Sequence, residues 1–81
     1  MVFMTKVENL EIRGKEIRTG KTGEYALVRL DAESGERLEF VDRDKDRFDY
    51  YERGKICDLT IKVTNTPQYT NFVIANMEYR E

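Results

Sequence analysis

The chain's 81 residues allow one domain with one core, and at 40% hydrophobic and 37% charged the composition excludes wholesale disorder. Apolar runs never exceed four residues (Met1 to Met4, Phe72 to Ala75), which excludes a membrane-spanning helix, and no basic stretch followed by an apolar block marks a secretory signal, so a cytoplasmic setting is expected. With 14 basic and 16 acidic residues the net charge of −2 excludes attachment to nucleic acid by bulk charge alone, but residues 1–30 carry six basic against four acidic groups and residues 31–54 five against nine. A mildly basic side and an acidic side are therefore expected, and such an asymmetry can steer a polyanion onto one surface.

In chain order, residues 6–18 place Leu10 and Ile12 on one face at period two, with Val7 and Ile17 out of phase. This predicts a long strand that changes face, with Gly14 supplying a bulge or bend. The run RTGKTG then makes a turn bracketed by Gly20 and Gly23, and residues 24–31 alternate Ala26, Val28 and Leu30 with Tyr25, Leu27 and Arg29. The first set reads as core. A turn at AESG, where Gly35 can take positive φ, leads to residues 36–42, with Leu38 and Phe40 inward and Arg37, Glu39 and Val41 outward.

The segment 42–53 (DRDKDRFDYYER) combines charge with aromatics and is followed by Gly54, the expected helix C-cap. A short helix here puts Phe48 and Tyr51, three residues apart, on one side, where they can plug the end of a barrel. Residues 55–64 alternate Cys57, Leu59, Ile61 and Val63 with polar positions, and Cys57 reads as a small core residue. After Asn65-Thr66-Pro67, residues 71–79 place Val73, Ala75, Met77 and Tyr79 on one face and Phe72, Ile74 and Asn76 on the other. Tyr79 and Phe40 are expected in the core. The order strand, strand, strand, short helix, strand, strand predicts an all-β domain over residues 1–81, a five-stranded Greek-key barrel of the oligonucleotide/oligosaccharide-binding (OB) kind, in which closure removes exposed strand edges.

Catalytic chemistry is sparse. The chain has no histidine, the commonest general base and zinc ligand, and its single cysteine cannot build a structural zinc site. The D-R-D-K-D string starts like a calcium loop, but Arg47 stands where that loop needs glycine and Arg53 where it needs glutamate. Gly20-Lys21-Thr22 is a fragment of a phosphate loop without its first glycine or a following helix. No enzyme, metal or cofactor is expected.

Nine aromatics are the functional hint, because sequence-tolerant binding of single strands stacks bases on exposed rings beside basic groups. Tyr25 and Arg29 share a strand face, Lys62 projects from the fourth strand, Tyr69 lies in the loop after it, and Phe72 follows. Two readings of Tyr25 and Phe72 stay open: they meet bases, or they pack in a second small core or a dimer contact. The RTGKTG turn likewise reads as a plain hairpin or as a loop whose glycines let backbone and Lys21 approach phosphates.

The run Gly-Lys-Thr-Gly-Glu-Tyr-Ala-Leu-Val-Arg-Leu-Asp, a glycine-rich turn entering a tyrosine-bearing second strand, resembles the small single-stranded-DNA-binding proteins of phages and mobile elements, typified by the filamentous-phage gene V proteins of OB fold. The resemblance implies a non-catalytic protein that coats single strands cooperatively, usually as a dimer. It nominates Arg18, Lys21, Tyr25, Arg29 and Tyr69 as contacts, and the basic groups Arg13, Lys15 and Lys62 and the ring of Phe72 complete the candidate set. The alternative is a small adaptor or inhibitor domain that binds a protein partner through the acidic segment 42–53, with Asp44, Asp46 and Asp49 foremost.

Overall fold

The computed structural model describes residues 1–80. Five strands, β1 (Val2–Gly20), β2 (Gly23–Asp31), β3 (Arg37–Asp42), β4 (Ile56–Asn65) and β5 (Thr70–Tyr79), are joined by turns and by one short 3₁₀ helix, η1 (Lys45–Tyr50), between β3 and β4. They pair in the order β1-β2-β3-β5-β4, and β4 returns to β1, so the mixed sheet closes on itself as a ring. All pairings are antiparallel except β3 with β5, which meet in parallel at the single register pair Val41–Val73. No helix among the described residues is long and apolar enough to cross a membrane.

The first strand is longer than its apolar alternation implied, beginning at Val2 rather than near residue 6. Its 19 residues would span about 60 Å if straight, whereas the molecule's longest extent is 37 Å, so β1 has to bend. It does so twice. One register shift falls between Val7 and Leu10, where Asn9 takes a left-handed φ of 57°, a conformation asparagine tolerates better than most residues. Asp58 holds this bend by accepting the Asn9 amide at 3.0 Å, and it also binds Arg80 at 2.6 Å. The Arg80 bond first, and the Asn9 amide second, hold the Asp58 carboxyl below the usual carboxylate range. The second shift falls between Ile12 and Gly14, at the glycine anticipated from the sequence. From Val2 to Glu11 β1 pairs with β4, and from Glu11 to Gly20 with β2, so one strand serves both sides of the ring.

Inside lie Leu10, Ile12, Ala26, Val28, Leu30, Cys57, Leu59, Ile61, Val63 and Ile74, all nearly or fully buried. β5 departs from the simple alternation. Ile74, expected on the opposite face from Val73 and Met77, is in the core, because a bulge at Ala75 shifts the register against β4: Thr60 pairs with Asn76 but Ile61 with Ile74. The extra residue reverses the inward phase, so that Ile74 and Met77 both point in and Val73 points out. Phe40, expected in the core, is half-buried and packs against it, whereas Tyr79, also expected there, is exposed. Tyr79 instead donates its hydroxyl to the Tyr50 carbonyl and accepts the Glu52 amide at 2.9 Å, fastening the exit of η1.

The helix closes one end of the ring. Asp44 caps it by accepting the Asp46 amide at 3.0 Å, and Phe48 and Tyr51 are buried beneath it. The helix stops at Tyr50, so Gly54 is not its cap; with φ of 89° it turns the chain into β4, and its amide donates to the Ile12 carbonyl. Beside the helix sits Asp42, fully buried at the end of β3. It accepts two hydrogen bonds from Arg47 at 2.9 and 3.0 Å, one from the Asp44 amide at 2.9 Å, and one from the Tyr51 hydroxyl. Arg47 also donates to the Ile74 carbonyl at 3.1 Å, so the same guanidinium grips both β3 and β5.

Removing one member of a buried, fully bonded ion pair leaves the other charge stranded. Asp42→Ala should therefore lower the unfolding free energy by about 3–5 kcal/mol in urea melts, and Tyr51→Phe by a smaller amount, about 1.5–3 kcal/mol. Burial, then the bond to Asp42, push the Tyr51 phenol far above its ordinary value of 10.0, and burial pushes the Cys57 thiol from 9.0 up to about 11. Both groups are raised, so their contribution is complete below the unfolded values and is lost as pH rises. Stability should decline first between pH 9 and 11 through Cys57 and further above pH 10 through Tyr51. Urea melts at pH 8, 10 and 11 should show the gap between wild type and Tyr51→Phe narrowing above pH 10.

Candidate nucleic-acid interface

Residues paired across a sheet share a side, so the buried positions of β2 assign every other position. Ala26, Val28 and Leu30 point in; Tyr25, Leu27 and Arg29 point out. From the register, Arg18 lies opposite Tyr25, Glu16 opposite Leu27, and Gly14 opposite Arg29 on this outer face of β1 and β2. β3 extends it with Val41 beside Leu27 and Glu39 beside Arg29, and Val73 of β5 adjoins Val41. The face thus has an apolar middle of Leu27, Val41 and Val73, each half-buried, between two cationic ends.

At the end near the β1–β2 turn, Tyr25 rests against Gly20: a Cβ placed there would meet the ring at 3.2 Å, so the glycine makes room for it. Arg43, just past β3, holds its guanidinium 5.6 Å from the centre of the Tyr25 ring, within cation–π range, and donates to the Thr22 hydroxyl at 3.1 Å. Arg18, on the other side of Tyr25, is ion-paired with Glu16, and Lys21 is exposed in the turn itself. At the far end, Arg29 pairs with Glu39 at 3.6 Å and Arg13, the extra residue of the second bulge, reaches Asp31 at 2.7 Å.

Five of the nine sequence candidates, Arg13, Arg18, Lys21, Tyr25 and Arg29, are therefore gathered on one face or at its edge. Lys15, Tyr69 and Phe72 are not, and Lys62 only borders the strip on its β5 side. Lys15 pairs with the inward Val28 and donates to the Phe48 carbonyl, so it braces η1 on the side away from Tyr25 and Arg29. Lys62 points outward from β4 as the register partner of Val73, so it borders the β5 edge of the apolar strip, two places around the ring from β2 and Tyr25. Phe72 pairs with the inward Val63 and so lies on the opposite side of β5 from Val73, and Tyr69 stands exposed in the β4–β5 loop. Phe72 and Tyr69 thus belong to an apolar end of the molecule shared with Met1, Val2, Phe3 and Met4, all of them exposed.

Sequence reasoning overlooked Arg43, because it falls in the segment counted as acidic. Its signal was nevertheless present: it follows the outward Val41 by two residues, the strand period. The acids of that same segment are largely engaged at home. Asp42 is buried, Asp44 caps η1 and contacts Arg47 at 3.2 Å, and Glu52 pairs with Lys55 at 2.5 Å. Among the described residues no group of three or more His, Cys, Asp or Glu side chains is placed to hold a metal ion. No family model, curated protein or solved structure matches the chain.

Proposed function

We propose that the chain is a single-stranded nucleic-acid-binding module of OB type, with no catalytic role, that lays its ligand across the outer face of β1, β2 and β3. The ring order, the helix between β3 and β4, and the doubly bent first strand are what an OB-type Greek-key barrel requires, and such barrels use the face of strands 2 and 3 with the adjoining loops for oligonucleotides. The observation that carries the reading is Tyr25: an outward ring between Arg18 and Arg43, next to an apolar strip and a glycine turn bearing Lys21. A base stacks on the ring or the apolar strip, whatever its identity, while the guanidinium groups meet the phosphates on either side. The net acidity of the chain does not oppose this, since much of the acid count is spent on the helix and on Asp42 at the closed end. For the protein-partner reading, Asp46 and Asp49 stay exposed, whereas Asp42, Asp44 and Glu52 are bonded within the chain.

Titration of oligo-dT followed by tyrosine fluorescence should show quenching at 50 mM salt and a steep loss of affinity at 200 mM, as neutralised phosphates take back their counterions. Unchanged fluorescence at the lower salt would sink the proposal. Tyr25→Ala should cost about 1–3 kcal/mol of binding, roughly a tenfold to hundredfold loss, with the urea midpoint little altered. Charge reversal at Asp46 and Asp49, exposed carboxylates that neither cap η1 nor join the Asp42–Arg47 pair, should leave oligo-dT binding intact or strengthen it.

A further inference from the structure

A cavity of about 400 Å³ opens at the far end of the same face, lined by Arg13, Arg29, Arg37 and Arg53 together with Asp31 and Glu39. Four guanidinium groups from four different stretches of chain converge here. The β1 bulge supplies Arg13, β2 supplies Arg29, and β3 supplies Arg37. Arg53 is carried in by the segment after η1, which the Gly54 amide ties to the Ile12 carbonyl at 2.8 Å. Both carboxylates are already matched: Asp31 with Arg13 at 2.7 Å and Glu39 with Arg29 at 3.6 Å. Asp31 Oδ1 is buried, so that oxygen is not presented to an incoming anion. Arg37 and Arg53 have no carboxylate within ion-pair distance among the described residues. The lining therefore carries two uncompensated positive charges, both as planar forks suited to phosphate oxygens.

We infer that this cavity holds the terminal phosphate monoester of a nucleic-acid strand, so that the protein prefers a phosphorylated strand end to a hydroxyl end. The inference rests on the nucleic-acid reading above and specifies which part of the ligand this end of the face receives. Charge decides between the two kinds of phosphate a strand offers. An internal phosphodiester carries one negative charge, whereas a terminal monoester carries close to two at pH 7, with a second pKa near 6. A site with an excess of two guanidinium charges matches the monoester. Size agrees, since a cavity of 400 Å³ lies in the range of small-ligand sites and takes the terminal nucleotide with its phosphate. The cavity also continues the face that carries Tyr25, because Arg29 belongs to both, so a strand seated at its end here runs on over Leu27 toward the ring.

The test compares short oligo-dT carrying a 5′-phosphate, a 3′-phosphate, or hydroxyl groups at both ends, by calorimetric titration of the full chain at pH 7.5. One phosphorylated form should bind about tenfold more tightly than the hydroxyl form, the gain expected from added charge-assisted bonds. That ratio should fall toward one at pH 5, where the monoester regains one proton and carries a single negative charge, and in the variant Arg37→Ala/Arg53→Ala at pH 7.5. Equal binding of all three oligonucleotides overturns the inference and leaves the interface reading standing. A preference that survives in the double variant overturns it as well. Tighter capture of a phosphoserine peptide than of any phosphorylated oligonucleotide assigns the cavity to a protein ligand and rejects it. Failure of every oligonucleotide to bind removes the reading beneath, and the inference with it.

Discussion

The ring depends on Asp42. β3 and β5 touch at one register pair, far less than any of the antiparallel seams, so the sheet would open there without a further bond. Arg47 supplies it by binding the Asp42 carboxylate with two nitrogens and the Ile74 carbonyl with one of them, while Tyr51 donates to the same carboxylate from below. A fully buried charge opposite Ala26 would be ruinous alone, and here each side of the pair is supplied with hydrogen bonds. The 3₁₀ helix is the carrier of Arg47 and Tyr51, and the short segment between β3 and β4 is thus the clasp of the ring as well as its end plug.

Closure at that seam determines what the outer face can present. With β3 held against β5, Val41 and Val73 come side by side and extend the apolar strip begun by Leu27. Arg43, one residue past Asp42, is held where its guanidinium covers Tyr25 and bonds Thr22 in the β1–β2 turn. The clasp and the candidate contact group are consecutive residues, so loosening the first displaces the second. This coupling is a reason to measure ligand binding and stability together in any variant of residues 42–51.

Charge was misleading when summed along the chain and informative once folded. Residues 31–54 hold an excess of acids, yet they also supply Arg37, Arg43 and Arg53 to the cationic ends of the outer face. Five of their nine acids go to other tasks: a core ion pair, a helix cap, a paired Glu52, and two carboxylates that neutralise Arg13 and Arg29. The strand period assigned Arg37 to the outside correctly, whereas the segmental charge count pointed attention elsewhere.

Alternation of apolar and polar residues was sufficient, by itself, to locate five strands, the first without its N-terminal end, to put Ala26, Val28, Leu30, Cys57, Leu59, Ile61 and Val63 in the core, and to turn Tyr25 and Arg29 outward, while the three-residue spacing of Phe48 and Tyr51 marked the short helix. These are local properties: side chains on a pleated strand alternate, and burial follows the alternation wherever the register is unbroken. Only the tertiary structure decided that Ile74 is inside, that Lys15 braces the helix, that Lys62 and Phe72 lie away from Tyr25, and that four arginines from separate stretches surround one cavity. Each of these turns on a bulge or on pairing between distant strands. A bulge inserts one unpaired residue and reverses every face beyond it; Gly14 marked one such site in the sequence, but the bulge at Ala75 is set by the partner strand and the closing of the ring, and no local pattern there records it.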